Sequence, residues 1–439
     1  MKNKFIFKFP SKINFKNYRH SSSNNAVFYG LNKKVEFCTK CTYSNQKPNS
    51  EKEFTHTLKT IKPTVKLKKR NVCNACDVHY YKTNTIDWKK REVLLLKLCD
   101  KFRRKDGQYD CLVPGSGGID SFFTAHKLKY KYGMNPLTIT YSPHLYTDWG
   151  YKNFKSWIDS GFDNFLFTPN TRVHRLLTRI SLENLFHPFQ PFFFGQNYLT
   201  PKVAKKKFGI ELVFYGESPL EYGNDDDRNT PLKDPSYFTV KNPMETYIGG
   251  IKIKKLISEF GLSKNDLEHY LPISNKEFRK NKSEIHYLGW YLKWHPQEVY
   301  YYAVENSNFK PSPERNIGTY GKYKSIDDKM DDLHFYTTFI KFGIGRATYD
   351  SAQEIRNGEL LRNEGVKLVK KFDGEYPKRF EKELFEYLSL PKNDFLKASK
   401  NFEKPILNKE YFELLTDNFR SPHLWFFEKS NWKLRKKIN

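Results

Sequence analysis

The chain has 439 residues, in which lysine and arginine outnumber aspartate and glutamate 76 to 49, a formal excess of +27. That length supplies material for two or three cores, most simply one large domain with appendages. Six cysteines in such a length exclude a disulfide scaffold, and no apolar run approaches the roughly 20 residues that span a bilayer, so a cytoplasmic protein is expected. The opening residues MKNKFIFKFPSK interrupt their apolar positions with lysine too often to form a signal-peptide core. The basic excess would suit a polyanionic partner, but the abundant Asn, Ile, Phe and Tyr beside Lys are the mix of an AT-rich genome. Solvated surface lysine accounts for such a charge, and no nucleic-acid partner is expected.

Residues 1–36 form a basic extension without clear periodicity. Two CxxC pairs follow, Cys38 with Cys41 and Cys73 with Cys76, in a module spanning 37–85. In a reducing compartment four thiolates on two knuckles close a tetrahedral shell, so structural zinc is the expected occupant, with an iron–sulfur centre or unliganded thiols as alternatives. The lysine-rich stretch EKEFTHTLKTIKPTVKLKKR between the pairs reads as a hairpin or long loop, mostly solvated, whose charge could touch a polyanion. Trp88, Leu95, Leu98, Cys99 and Phe102 are then spaced to cover one face of a helix.

The stretch YDCLVPGSGGIDSFF organises what comes next. Cys111, Leu112 and Val113 read as a buried strand ending at Pro114, a glycine and serine turn follows, and FFTAHKLKYKYG resumes at helical spacing with a stop at Gly133. Strand, glycine turn and helix aim backbone N–H groups and a helix N-terminus at one point, where a phosphate can be held. The turn lacks the Lys-Ser/Thr ending of a Walker loop and the spacing of a dinucleotide fingerprint.

Three further strands are expected at 136–142, 163–169 and 211–218, separated by segments long enough for crossover helices. The expected fold is therefore α/β, a doubly wound parallel sheet over 86–240, with the zinc module before it and a mostly helical substrate or partner region over 241–439. Ligands of such sheets bind beyond the C-terminal strand ends, which here carry Ser116 to Ser121, Ser142, Thr168 with Asn170, and Gly216 to Ser218. Glu217, Glu221 and Asp225 follow the last of these and either bind magnesium or merely solubilise a loop. Trp290, Trp294, Tyr300 and Tyr301 suit a helical core better than base stacking. In KFGIGRATYD, Lys341 and Arg346 flank two glycines, as a basic loop closing on phosphate or as a helix terminus with two surface cations.

The string SGGIDS resembles the pyrophosphate loop of the PP-loop ATP pyrophosphatases (adenine nucleotide alpha hydrolase-like fold), which split ATP into AMP and pyrophosphate. That resemblance implies phosphate contacts from Ser116, Gly117, Gly118 and Ser121 and a magnesium role for Asp120. The ordered strings CTKC, CNACDVHYYKTNTIDWKKRE, YDCLVPGSGGIDS, GMNPLTIT, LVFYGESPLEYG, SIDDKMDDLH, KFGIGRATYDSAQEIRNGELLRNEG and KKFDGEYP together are similar to the N-acetyl sugar amidotransferase family. The likeness runs from about residue 37 to about 376. It departs from the family in the long basic insert between the CxxC pairs.

The resemblance implies an enzyme that takes ATP, magnesium and a structural zinc. It would adenylate the acetamido oxygen of a nucleotide-activated N-acetyl sugar, and ammonia would then displace AMP to leave an acetamidino sugar for lipopolysaccharide O-antigen, capsule or flagellar glycan. Asp120, Ser121, Lys341 and Arg346 are the expected catalytic residues. Ser116, Gly117, Gly118, Asp120, Ser121, Ser142, Gly216 and Glu217 are expected to hold the nucleotide. No glutamine-hydrolysing constellation is evident, so a separate glutaminase with a cyclase-like subunit is the implied ammonia source. The rival readings are a tRNA-modifying PP-loop enzyme, of thiolase or lysidine synthetase type, and a basic RNA-binding scaffold with a degenerate loop.

Overall fold

The structure, a computed structural model, describes residues 19–57, 59–216, 219–224 and 230–439. Glu217, Ser218 and Asp225, expected near the site, lie outside the described residues.

Five strands make the central sheet: β1 (Cys111–Pro114), β2 (Pro136–Tyr141), β3 (Asn164–Phe167), β4 (Leu212–Tyr215) and β5 (Glu284–Tyr287). They run parallel in the order β3-β2-β1-β4-β5. The chain order reverses between β1 and β4, which opens a crevice at their C-terminal ends. The helices that matter to that crevice are α1 (Asn74–Asn84), α2 (Trp88–Phe102), α3 (Ile119–His126), α4 (Asp148–Asp159), α5 (Thr171–Glu183), α6 (Gln190–Phe208), α7 (Pro296–Asn306), α8 (Met330–Phe342) and α9 (Arg346–Asn357).

Alternation along the strands sorts the core into two layers, because successive side chains leave a strand on opposite faces. Leu112 of β1 and Val213 of β4 join Val173, Leu177, Phe194 and Tyr198 from α5 and α6. Their neighbours Cys111, Val113, Leu212 and Phe214 join Leu95 and Cys99 of α2, Phe122 of α3 and Trp157 of α4 on the other face. With both faces covered, every position of β1 and β2 is buried, which is why these strands are apolar or β-branched throughout rather than alternating with charged residues.

β5 falls within the stretch expected to be helical. Only Ile285 and His286 of this edge strand are buried, and His286 is accommodated by hydrogen bonds to Tyr291 Oη (2.8 Å) and Glu284 Oε2 (3.1 Å), so no apolar run announces it. Trp294 is buried as expected, whereas Tyr301 is 56% exposed. Beyond them α8 packs Leu333 and Ile340 against Leu384, Leu388, Phe412 and Leu415 in a separate helical core.

The expectation of a solvated insert is corrected, and part of the basic extension finds a place in the fold. From the insert between the CxxC pairs, Phe54 packs into the sheet core, and the bridges Pro48–Thr64 and Leu67–Cys73 tie the segment together. Residues 19–36 dock on the C-terminal hairpin β6 (Trp425–Glu428) and β7 (Asn431–Leu434): Leu31 packs with Phe342 and Trp425, and Phe427 N donates to His20 O at 2.8 Å. Apolar residues spaced irregularly among lysines carry these contacts, and such spacing leaves no periodic signal. Among the described residues no helix is long and apolar enough to cross a membrane.

Candidate active site and four-thiol cluster

The turn after β1 is shaped by its glycines. Gly117 has φ +90°, and a Cβ there would lie 2.6 Å from Phe154 Cα, so both conformation and space demand glycine. Gly118 has the extended φ −68° and ψ 163° that any residue adopts, and the nearest atom to a Cβ there is Ser116 Oγ at 4.0 Å. Its missing side chain leaves room on the cavity side. Behind it α3 starts without any side-chain cap, so its first-turn N–H groups lack an acceptor from a capping side chain.

The N-terminus of α9 is the instructive contrast. There Asp373 Oδ2 accepts from Gly345 N at 2.9 Å and its Oδ1 from Thr348 N at 3.1 Å. One glycine-preceded helix in this fold is closed by a carboxylate. The other is left open to a cavity.

That cavity holds about 580 Å³ at the C-terminal ends of β1 and β4. The turn from Gly115 to Ser121 forms its floor, Gly216 and Trp294 one side, and Lys324, Asp327, Asp331, Arg346 and Asp350 the other. Burial pushes the Asp120 carboxyl up to about 6 against the pull of Lys324 and Arg346. Asp331 is raised further by burial and by the neighbouring charges of Asp327 and Asp328. Arg346 is held in place by Asp350 (3.0 Å) and Ser325 Oγ (2.9 Å) and lies 4.4 Å over the Phe335 ring. Lys324 Nζ donates to Gln353 Oε1 at 2.5 Å. Asp328 acts as a brace. Its oxygens accept from His144 N and Nδ1, both at 2.7 Å, and from Met330 N at 3.0 Å, tying the loop after β2 to the start of α8.

The structure thus gathers Ser116, Gly117, Gly118, Asp120, Ser121, Gly216 and Arg346 around one cavity. Ser121 Oγ donates to Gly118 O at 3.0 Å, bracing the turn. Two expected members are elsewhere. Ser142 is buried one residue short of the cavity wall, which begins at Pro143. Lys341 lines a separate cavity, with Nζ on Leu185 O at 2.9 Å, because Gly343 (φ +69°) ends α8 and turns the chain before Arg346 opens α9. Neither cation is the surface group of the simpler expectation. Glu221 serves a structural pair, receiving Lys82 Nζ of α1 at 2.7 Å.

Sequence reasoning did not single out Lys324, Asp327, Asp331 or Asp350. The run SIDDKMDD did concentrate carboxylates, but nothing local to it indicates that the chain returns there to the sheet.

The four cysteines converge as expected: their sulfurs lie within 4.8 Å of one another, with Cys41–Cys73 at 3.6 Å and Cys38–Cys76 at 3.8 Å. Thiolates about 2.3 Å from one zinc stand about 3.8 Å apart at the corners of a tetrahedron, so the set fits a single ion. Backbone N–H groups of Lys40 (3.4 Å), Cys41 (3.5 Å) and Cys73 (3.3 Å) point at Cys38 Sγ. Hydrogen bonds from the other three thiols hold the Cys38 pKa well below the usual range, while burial raises that of Cys41. The cluster is coupled to the cavity wall: Thr42 Oγ1 meets Ser351 Oγ of α9 at 2.9 Å, and Asn74 Nδ2 of α1 donates to Gly223 O at 2.6 Å.

Fold and site together define a parallel α/β protein with an open helix N-terminus at its switch point and a four-cysteine cluster suited to zinc. Residues 317–439 match the family model described as LPS biosynthesis protein WbpG-like, C-terminal domain. The matched stretch includes Lys324, Asp327, Asp331, Arg346 and Asp350, the far wall of the cavity. No curated protein matches the chain.

Proposed function

We propose that the protein is an ATP-dependent amidotransferase of lipopolysaccharide biosynthesis, of the PP-loop type, which converts an acetamido group of a nucleotide-activated sugar into an acetamidino group. The observation that carries the reading is the uncapped N-terminus of α3 behind Gly118, facing a cavity whose far wall is similar to a domain of an LPS biosynthesis protein.

An amide is a poor electrophile, so its oxygen must become part of a leaving group. The acetamido oxygen attacks the α-phosphorus of ATP, the bond to the bridging oxygen breaks, and pyrophosphate departs. Ammonia adds to the carbon of the resulting O-adenylyl imidate, a proton is lost, and AMP leaves with the former amide oxygen. Positioning and charge balance are the protein's main contributions to the first step. The N–H groups around Gly118 and Ser121 receive the departing pyrophosphate, and Arg346 and Lys324 offset the remaining charge.

The acidic side suits magnesium arriving with the nucleotide. Among the described residues only the cysteines bring three or more potential ligands within 4.8 Å, so Asp120 and its acidic neighbours form no ready-made cage. Magnesium customarily takes one or two carboxylates and completes its shell with phosphate and water. Trp294, Phe309 and Tyr323 offer apolar surface for the adenine.

Cys99 and Cys111 are the thiols outside the cluster, and burial pushes Cys99 up to about 11 and Cys111 well above the usual range. Neither suits glutamine hydrolysis, which requires an accessible thiolate. A separate glutaminase is the fitting ammonia source, and a cytoplasmic location follows from the need for ATP and nucleotide sugars.

The test is a mass spectrum of products from a panel of UDP- and CMP-linked N-acetyl sugars with ATP, magnesium and ammonium. Replacement of one acetamido oxygen by NH, with equimolar AMP, is the expected result. AMP release stimulated by tRNA and by no sugar would overturn the proposal.

A further inference from the structure

A second cavity of about 460 Å³ adjoins the first and shares His187, His334, Phe335 and Tyr349 with it. The imidazoles of His187 and His334 are stacked at 3.7 Å along this common wall. The far side is built differently from the first cavity. Lys47 and Lys62 come from the insert between the CxxC pairs, Lys233 follows β4, and Lys341 ends α8.

Three of these ammonium groups hydrogen-bond to neutral oxygens. Lys47 Nζ donates to Pro48 O (3.1 Å) between the rings of Tyr43 and Tyr349, Lys233 Nζ to Asn197 Oδ1 (2.6 Å), and Lys341 Nζ to Leu185 O (2.9 Å). Lys62 faces Glu53 at 3.6 Å, a carboxylate it shares with His56 at 3.5 Å. Glu51 completes the ionisable groups on this side. Four ammonium groups thus face two carboxylates.

Enclosing four ammonium groups against two carboxylates, with Arg356 and the Cys41 and Cys73 thiols also acting on Lys47, is unfavourable and is relieved by loss of protons or by an anion. Burial pushes each of Lys47, Lys233 and Lys341 down to about 7. An arriving anion would draw protons back onto them.

We propose that the second cavity seats the anionic part of the sugar substrate, a phosphate or a carboxylate, on Lys47, Lys233 and Lys341, while its neutral acetamido arm passes the His187–His334 pair to reach the first cavity. This inference rests on the amidotransferase reading for the identity of the arm. The anion site itself does not. The polyanion that the basic insert suits is then a small molecule held inside the protein.

The experiment is titration calorimetry on the full zinc-loaded chain without ATP, using UDP for the phosphate source and glucuronate for the carboxylate source. At least one probe should bind with proton uptake, revealed by heats that differ between buffers of different ionisation enthalpy. Lys341→Met and Lys233→Met should each weaken that probe about tenfold or more, since each removes one charge from an enclosed ionic contact. Lys341→Arg should restore most of the loss, and Mg-ATP affinity should stay within about twofold because the first cavity is untouched. Thermal melts of each variant exclude unfolding as the cause.

Binding of neither probe, or binding indifferent to both lysine substitutions, overturns the inference. Lysine-dependent binding without acetamidino product would retire the amidotransferase reading and leave the anion site standing. The acetamidino product with a sugar KM indifferent to the lysines would do the reverse.

Discussion

The two cavities lie against one another and differ in the balance of their charges. The glycine-turn cavity sets backbone N–H groups, Lys324 and Arg346 against Asp120, Asp327, Asp331 and Asp350, whereas its neighbour is walled by four lysines with two carboxylates. The difference separates two kinds of anion. A triphosphate accompanied by magnesium can approach carboxylates, because the metal binds both; a bare phosphate or carboxylate lacks that bridge and meets fewer carboxylates beside the lysines.

The largest expected effect breaks the first cavity alone. Gly118→Val fills the space beneath the open helix end, and Asp120→Ala removes its carboxylate; each should lower pyrophosphate release by about 100-fold or more. Circular dichroism melts should remain within a few degrees of the parent, since Gly118 needs no special φ. UDP binding by either variant should be unchanged. Near-normal pyrophosphate release by Asp120→Ala would remove it from the nucleotide site.

Cys38→Ser should damage both cavities through the scaffold. The cysteine module anchors α9 through Thr42 and Ser351 and supplies Lys47 to the second cavity, so loss of a structural metal worth several kcal/mol lowers the melting temperature before it alters chemistry. Metal analysis should return one zinc per parent chain and little in the variant. Iron in place of zinc would contradict the assignment.

Gly117→Ala sharpens the distinction between the two adjacent glycines. The positive φ costs roughly 1–3 kcal/mol and the contact with Phe154 adds to it, so this variant should lose stability where Gly118→Val does not. Equal melting temperatures for the pair would contradict the geometry of the turn.

A pH dependence of stability belongs to neither cavity. Burial lowers the pKa of His423 to about 4 and that of His174 well below its usual value. Unfolded imidazoles titrate near 6.5, so the unfolded chain binds the extra protons at acidic pH. The stability these residues contribute is complete above about 6.5 and falls by up to about 1.4 kcal/mol per histidine per pH unit below it. Denaturant midpoints that stay flat from pH 7 to pH 5 would show that these histidines are not held neutral.

The sequence alone determined the local parts. Leu112 and Val113 announce a strand by an apolar run, and Leu137 to Tyr141 do so by apolar and β-branched residues, because burial on both faces admits little else. The SGGIDS string announces a glycine turn between strand and helix, and two CxxC pairs announce a cluster of four thiols, because each needs particular residues a few positions apart. Tertiary structure decided the rest. Glu284–Tyr287 joins the sheet with only two buried residues, Lys341 and Arg346 part company at Gly343, and Asp331 and Asp350 reach the cavity from the C-terminal helices. Local spacing encodes which way a segment folds, but where a remote segment returns depends on packing between surfaces far apart in the chain, and the wall opposite a loop is made by such a return.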